Sequence, residues 1–261
     1  MQRNEIKPDV SCFPPAFHRL LENAAVFDSS CSPAARVLFI DREEGFYLKS
    51  AAPGSLKKEA ALTRYFHTKG LATEVLAYET GEQDWLLTRR VKGEDCTHRQ
   101  FLDQPERLCD ILGQRLRMLH ELDASDCPLT DKMEDYFALA EENYRKRQFD
   151  DSLYPQDAGF HAAEEAWSVI SRDGKALRRD VLLHGDYCLP NVMLDDWHFS
   201  GFIDLGNGGM GDRHIDLFWG MWSLWYNLKT DKYTDRFLDA YGRDRVETEK
   251  LRIVAAFEVF G

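Results

Sequence analysis

No two of the six cysteines, at 12, 31, 96, 109, 127 and 188, form a Cys-x-x-Cys pair, and none joins a Cys/His cluster at zinc spacing. A structural zinc site and a disulfide framework are therefore not expected, and the thiols read as free in a reducing compartment. Basic charge is also short, with 33 Lys plus Arg against 45 Asp plus Glu and a net charge of −12. Nucleic-acid binding usually leaves a basic footprint, so no nucleic-acid partner is expected. No apolar run reaches the roughly 20 residues that cross a bilayer, the greasiest being Leu217 to Tyr226. The opening Met1-Gln2-Arg3-Asn4-Glu5 lacks the apolar segment of an export signal. A cytoplasmic protein without membrane attachment is the expectation. Repeats, low-complexity tracts and long Gly/Ser linkers are absent too. What remains is ordinary globular material: 261 residues, 44% hydrophobic and 30% charged, enough for a buried core in one or two domains.

The pattern changes near residue 90. Before it, short β-branched and aromatic runs alternate with turn residues: Arg36 to Ile40, Gly45 to Lys49, Val75 to Tyr78 and Trp85 to Thr88. One helix is expected between the second and third, punctuated by Pro53-Gly54-Ser55, carrying Leu62, Tyr65 and Phe66 at helical spacing, and stopped by Gly70. After residue 90, Leu108, Ile111, Leu112, Leu116, Leu119 and Leu122 form one apolar helical stripe. Further helices are expected near 132–148, 161–171, 213–228 and 247–259. Val192-Met193-Leu194 and Phe199 to Ile203, around Asp195-Asp196, read as a hairpin. The expected fold is α+β, with a small N-terminal antiparallel sheet and one helix in 1–91 and a larger, mainly helical lobe in 92–261.

The chemistry concentrates in His184-Gly185-Asp186-Tyr187-Cys188-Leu189-Pro190-Asn191 and, after the hairpin, Phe202-Ile203-Asp204-Leu205-Gly206. Two carboxylates and an amide at one end of a strand pair suit a task of holding Mg2+ and aiming a hydroxyl. Asn191 and Asp204 suffice as protein ligands, because magnesium takes much of its shell from substrate phosphates and water. Asp186 is then left to accept a proton. A cation for nucleotide phosphates is offered by Lys49 at the end of a strand, with Glu59 in the following helix. Singly, each residue also reads as a turn residue, a cap or a solvated lysine.

These motifs resemble, across nearly the whole chain, the aminoglycoside phosphotransferases, particularly the 3′-phosphotransferase branch, whose fold is that of the protein kinases. His184 to Asn191 resembles the family's His-Gly-Asp-x-x-x-x-Asn loop, and Ile203-Asp204-Leu205-Gly206 its Ile-Asp-x-Gly motif. Gly209, Asp212 and Asp216-Leu217 continue the pattern. The resemblance implies that Asp186 orients and deprotonates the acceptor hydroxyl, that Asn191 and Asp204 hold Mg2+, and that Lys49, held by Glu59, positions the α and β phosphates of ATP. GTP is the alternative donor. Ser32 falls in a turn, Ser29 to Ala34, similar to the family's nucleotide-positioning loop, and Tyr47 resembles an adenine-stacking aromatic residue. Leu87 to Val91 resembles the hinge, where backbone groups of Arg89 and Val91 would meet adenine. His184 and Asp216 are implied to brace the catalytic loop.

The implied reaction is transfer of the γ-phosphoryl group of ATP to a hydroxyl of a small, cationic acceptor, an aminoglycoside in the family's resistance enzymes. Two alternatives stay open: another small hydroxyl-bearing acceptor, or a nucleotide-binding protein without transfer. A monomer or a homodimer would serve. For the acceptor, Asp151 and Asp157 resemble the family's acidic loop, and Glu258 carries over from the acidic pair near the carboxyl end, where Phe257 replaces the first acid. Trp222, Tyr226 and Asn227 stand where the branch has an Arg followed by two acids, and Asn207 where it usually has Arg. The run Phe218 to Tyr226 reads as a core helix or, where it meets the acceptor, as a surface for a flatter, less charged molecule or a quaternary ammonium.

Overall fold

A computed structural model describes residues 4–150 and 159–261. In chain order the elements begin with β1 (Asn4–Ile6), α1 (Pro15–Leu21), β2 (Ala25–Asp28), β3 (Ala35–Asp41), β4 (Phe46–Ala51), α2 (Lys57–Thr68), β5 (Val75–Thr80), β6 (Asp84–Arg89) and β7 (Glu94–Asp95). They continue with α3 (Arg99–Leu102), α4 (Pro105–His120), α5 (Lys132–Arg145), α6 (Ala163–Asp173), β8 (Val181–Leu183), β9 (Val192–Asp195), β10 (His198–Phe202), β11 (Gly209–Gly211), α7 (His214–Leu228), α8 (Thr234–Tyr241) and α9 (Thr248–Glu258). The chain divides into two compact units, one holding the described residues up to Asp95 with Pro190–Gly206, the other Cys96–Leu189 with Asn207–Gly261. The sequence division at 91 and 92 differs on two counts: the change comes later, and the hairpin returns to the first unit. The reason is pairing, since β7 and β9 form a ladder, Glu94 opposite Leu194 and Asp95 opposite Met193.

The first unit is built on an antiparallel sheet in the order β1-β2-β3-β4-β6-β5. Alternation along β4 sends Phe46 and Leu48 to one face, where they pack with Val26, Leu38, Ile40, Trp85 and Leu87. Phe13, Phe17 and Leu21 complete this cluster, so α1 serves the sheet as well as α2. One helix was expected here; α1 is short and enters through Pro14-Pro15, which hides it in a turn-like stretch. The start of α2 is held by a distant carboxylate. Asp84, fully buried on β6, accepts the Leu56 N–H at 3.0 Å and the Tyr78 hydroxyl at 2.9 Å. Burial would raise its pKa, but the Gly54 and Leu56 N–H groups and nearby hydroxyls hold it below the ordinary value.

The second unit buries Met133 and Tyr136 of α5, Ala166 and Ile170 of α6, Val181 and Leu183 of β8, Ile215 and Phe218 of α7, and Val254 and Phe257 of α9 in one cluster. A polar lock joins the starts of α7 and α9. The buried His214 ring donates from Nδ1 to Asp212 Oδ1 at 2.5 Å, and its Nε2 accepts the Glu247 N–H at 2.9 Å. Asp212 Oδ2 accepts the Arg178 N–H at 2.7 Å, so the approach to β8 is pinned to the same group.

Helices α4 and α8 meet at Gly113, where an added Cβ would lie 2.6 Å from the Phe237 carbonyl oxygen and 2.8 Å from the Tyr241 nitrogen. Both are backbone atoms, so the helices would have to separate. Gly113→Ala should destabilise by about 1–3 kcal/mol of overpacking, set against the roughly 1 kcal/mol that Ala gains in helix propensity. Urea unfolding measures the balance, a net loss of up to about 2 kcal/mol, and a raised midpoint would refute this close approach.

Candidate active site

In the first unit the same alternation that buries Phe46 and Leu48 turns Tyr47 and Lys49 to the other face of β4. The Lys49 Nζ lies 2.7 Å from Glu59 Oε2 and 2.9 Å from Asp204 Oδ1. Burial alone would lower the pKa of this ammonium, but the two carboxylates together hold it above its ordinary value. Glu59 sits in the first turn of α2, where the helix N-terminus also favours a carboxylate. Asp204 adopts φ +59°, a left-handed conformation uncommon outside glycine. Its side chain stays 52% exposed while reaching Lys49.

The hairpin explains how Asn191 and Asp204 come together. With Val192 opposite Phe202, the residues before β9 and after β10 become neighbours, and the Ile203 N–H donates to the Asn191 carbonyl at 3.1 Å. The donor set is one amide and one carboxylate, hard oxygen ligands that fit Mg2+ with the remaining positions left to phosphate and water. Among the described residues no group of three His, Cys, Asp or Glu is placed for a metal, so a zinc cage finds no donors there.

The other first-unit residues are placed as follows. Ser32 lies in the turn before β3, where its Oγ accepts the Ala34 N–H at 3.2 Å. Tyr47 packs tilted on Phe39, ring centroids 5.2 Å apart. Arg89 ends β6, giving its backbone N–H to the Glu74 carbonyl at 3.2 Å and its Nε to the Glu74 carboxylate at 3.0 Å. Val91 is buried beyond it.

In the second unit Asp186 sits half-buried on a loop fixed at several points. The buried carboxylate of Asp216 accepts the His184 N–H at 2.8 Å and the Gly185 N–H at 2.7 Å. His184 Nδ1 accepts the Asp186 N–H at 3.3 Å, the Tyr187 hydroxyl donates to the Leu112 carbonyl at 2.9 Å, and the Leu189 N–H donates to Ser223 Oγ at 2.9 Å. Gly185 has φ +84°, and a Cβ there would fall 1.9 Å from the Asn207 carbonyl oxygen, so the turn into Asp186 requires glycine. His120 was not singled out from sequence. Burial lowers its pKa, so the ring is neutral; Nε2–H donates to Asp216 at 3.2 Å and Nδ1 accepts the Tyr241 hydroxyl at 2.8 Å. The signal for it was one polar side chain, four residues after Leu116, on the buried face of α4.

Of the acceptor candidates, Asp151 and Asp157 lie outside the described residues. Glu258 is buried at the end of α9 and accepts the Tyr136 hydroxyl at 2.8 Å. Trp222 and Tyr226 stack at 5.0 Å on the less buried face of α7, whose other face carries Ile215, Phe218 and Leu224 inward. The structure thus brings together Lys49, Glu59 and Asp204 in one unit, and Asp186 and Glu258 within each other's electrostatic reach in the other.

The family model described as "Phosphotransferase enzyme family" (APH) matches residues 26–252. A probable aminoglycoside 3′-phosphotransferase of Lactococcus lactis subsp. lactis (strain IL1403) is 46% identical over 260 residues, covering 98% of each chain. The aminoglycoside 3′-phosphotransferase of Niallia circulans is 32% identical over 186 residues, 70% of this chain and 69% of that one. Among solved structures, an aminoglycoside-3′-phosphotransferase of type VIII superposes with a TM-score of 0.75 at 25% identity, over 90% of this chain and 91% of its own.

Glu258 generates a pH prediction. Burial, then the charge of Asp186, push its pKa up to about 7 from an ordinary 4.5, against lowering by the Tyr136 and Trp219 hydrogen bonds and by Lys132. The folded chain therefore holds this proton more tightly than the unfolded one, and stability is lost as pH rises from 4.5 through 7. Glu258→Gln, neutral throughout, escapes that loss. The Tm of the variant relative to wild type should climb by several degrees between about pH 5 and pH 8, at about 2–4 °C per kcal/mol for a chain of this size. A Tm difference independent of pH would show that Glu258 does not titrate in this range.

Proposed function

This chain belongs to the APH phosphotransferase enzyme family, and we propose that it transfers the γ-phosphoryl group of ATP to a hydroxyl of an aminoglycoside, with Mg2+ as its metal. The observation that carries the transfer chemistry is the Lys49 ammonium held at hydrogen-bond distance from both Glu59 and Asp204. The acceptor class is supported by the relative that is 46% identical across 98% of the chain. Donor-binding residues fall in the first unit, Asn191 and Asp204 of the hairpin among them, and acceptor binding and proton transfer in the second.

Lys49 neutralises charge on the α and β phosphates, and Glu59 keeps the ammonium aimed. Bound through Asn191 and Asp204, Mg2+ supplies charge neutralisation on the phosphates when present. Amide groups of the Ser29–Ala34 turn, Ser32 among them, meet phosphate oxygens. Tyr47 stacks on adenine. Arg89 contributes its carbonyl to the adenine edge, because its N–H is committed to Glu74, and Val91 contributes its backbone beside it. In the transfer, the acceptor oxygen bonds to the γ phosphorus as the bond to the bridging β–γ oxygen breaks. Asp186 takes the hydroxyl proton, and ADP leaves. The protein works in the cytoplasm, where ATP is made.

The test is ATP consumption by the purified protein with Mg2+, with and without kanamycin, neomycin and a panel of small amino alcohols, with GTP in parallel. Drug-dependent ADP release is expected; release only with another acceptor overturns the aminoglycoside assignment. Asp186→Ala should lower kcat at least about a hundredfold with ATP affinity kept, and wild-type turnover in that variant would remove Asp186 from its role. Asp204→Ala should instead lose Mg2+-dependent nucleotide binding, read by titration calorimetry.

A further inference from the structure

The first turn of α2 carries Glu59 but supplies no cap of its own. Leu56, at the N-cap, has no side-chain oxygen, and the Ser55 hydroxyl before it donates to the Ala52 carbonyl at 2.6 Å. Lys57 and Lys58 follow, which puts positive charge at the end of a helix whose field favours negative charge. The apolar seam beneath this turn is small, with Leu56, Ala60 and Leu86 buried together and Ala51, Val75 and Tyr78 packed around them. Hydrophobic contact is non-directional, so a seam of this size holds the turn to the sheet without setting its register.

Two polar links close on the same turn from the sheet. Asp84 is fully buried on β6, and its Oδ2 accepts the Leu56 N–H at 3.0 Å and the Tyr78 hydroxyl at 2.9 Å. In the ladder Ala51 pairs with Asp84 and Lys49 with Leu86, so the side chains of Lys49 and Asp84 leave one face of the sheet from adjacent strands. They hold α2 at two points of its first turn: Asp84 at Leu56, and Lys49 at Glu59, whose Oε2 lies 2.7 Å from the ammonium. A Cβ on Gly206 would lie 3.6 Å from Glu59 Cβ, so the backbone that leaves Asp204 rests against the same residue. A buried carboxylate costs desolvation that an apolar side chain does not. What it provides here is direction, which the seam lacks.

We propose that Asp84 is a positioning residue for the nucleotide phosphates. It touches no substrate; by holding Leu56 it sets the first turn of α2, and with it the place of Glu59 and of the ammonium that Glu59 aims. The proposal rests on the reading of Lys49 as the cation that meets the α and β phosphates. Its consequence is selective. A shift of the turn weakens contacts to phosphate and leaves contacts to adenine, made by Tyr47 and by backbone groups of Arg89 and Val91, as they were.

Titration calorimetry with ATP and with adenosine, Mg2+ present, separates positioning from folding, because adenosine has no phosphates. Asp84→Asn keeps the size and removes the charge; it should weaken ATP binding about tenfold and leave adenosine within about twofold. Tyr78→Phe, which keeps its ring and removes one donor to the same carboxylate, should weaken ATP about threefold. In a Glu59→Gln background both changes should lose most of their effect, because the path from Asp84 to the phosphates runs through Glu59. Wild-type ATP affinity in the two variants overturns the proposal, and so does an equal loss for adenosine or a loss undiminished beside Glu59→Gln. If Asp84→Asn does not fold, Tyr78→Phe decides by the same three comparisons. Wild type that binds no ATP removes the reading of Lys49 and this proposal together, whereas variants that bind ATP as wild type does remove the proposal alone.

Discussion

The second unit's chemistry depends on one carboxylate that water does not reach. Asp216 is fully buried, and an isolated charge in that position would be prohibitively costly. It survives because it accepts two successive backbone N–H groups, a donor from the neutral His120 ring, and the favourable field at the start of α7. Those two N–H groups belong to His184 and Gly185, the residues that set the direction of Asp186. A single group therefore exchanges its own solvation for the geometry of a loop. His120 and Tyr241 extend the arrangement to α4 and α8, the two helices that meet at Gly113.

Helix α7 then acts as the measure of the unit. Its first turn carries Asp216, its middle carries Ser223, which holds Leu189 at the end of the same loop, and its outer face carries the Trp222 and Tyr226 rings. Because all three are on one rigid element, the spacing from loop to rings is set by helical rise alone. The first unit solves its own problem differently. There a hairpin brings Asn191 and Asp204 side by side, and the strained backbone of Asp204 is tolerated where its carboxylate meets Lys49.

Much of this was legible because the relevant signals are local. The period of two in β4 separates Phe46 and Leu48 from Tyr47 and Lys49, and the stripe along α4 marks its buried side. The Asp186, Asn191 and Asp204 spacing is likewise a property of one continuous stretch. What escaped was non-local or short. The cap that Asp84 supplies to α2 comes from 28 residues away, and His120 reaches Asp216 across 96. Strands β1 and β2 have three and four residues, too few for a periodic signal, and they exist because β3 offers an edge to pair with. In α7 the apolar residues surround the helix, so period alone could not separate the buried side from the aromatic one.

The overall charge of −12 invites a simple account in which an acidic protein attracts a cationic acceptor. Screening limits that account. At physiological salt the Debye length is about 8 Å, so distant carboxylates raise encounter rates without discriminating between acceptors of similar size. Discrimination between acceptors has to come from groups in contact with them. A cation brought near Glu258 would stabilise its ionised form, so the approach of positive charge and proton release from Glu258 are linked. Net charge therefore governs how fast a cation arrives, and short-range contacts govern which one stays.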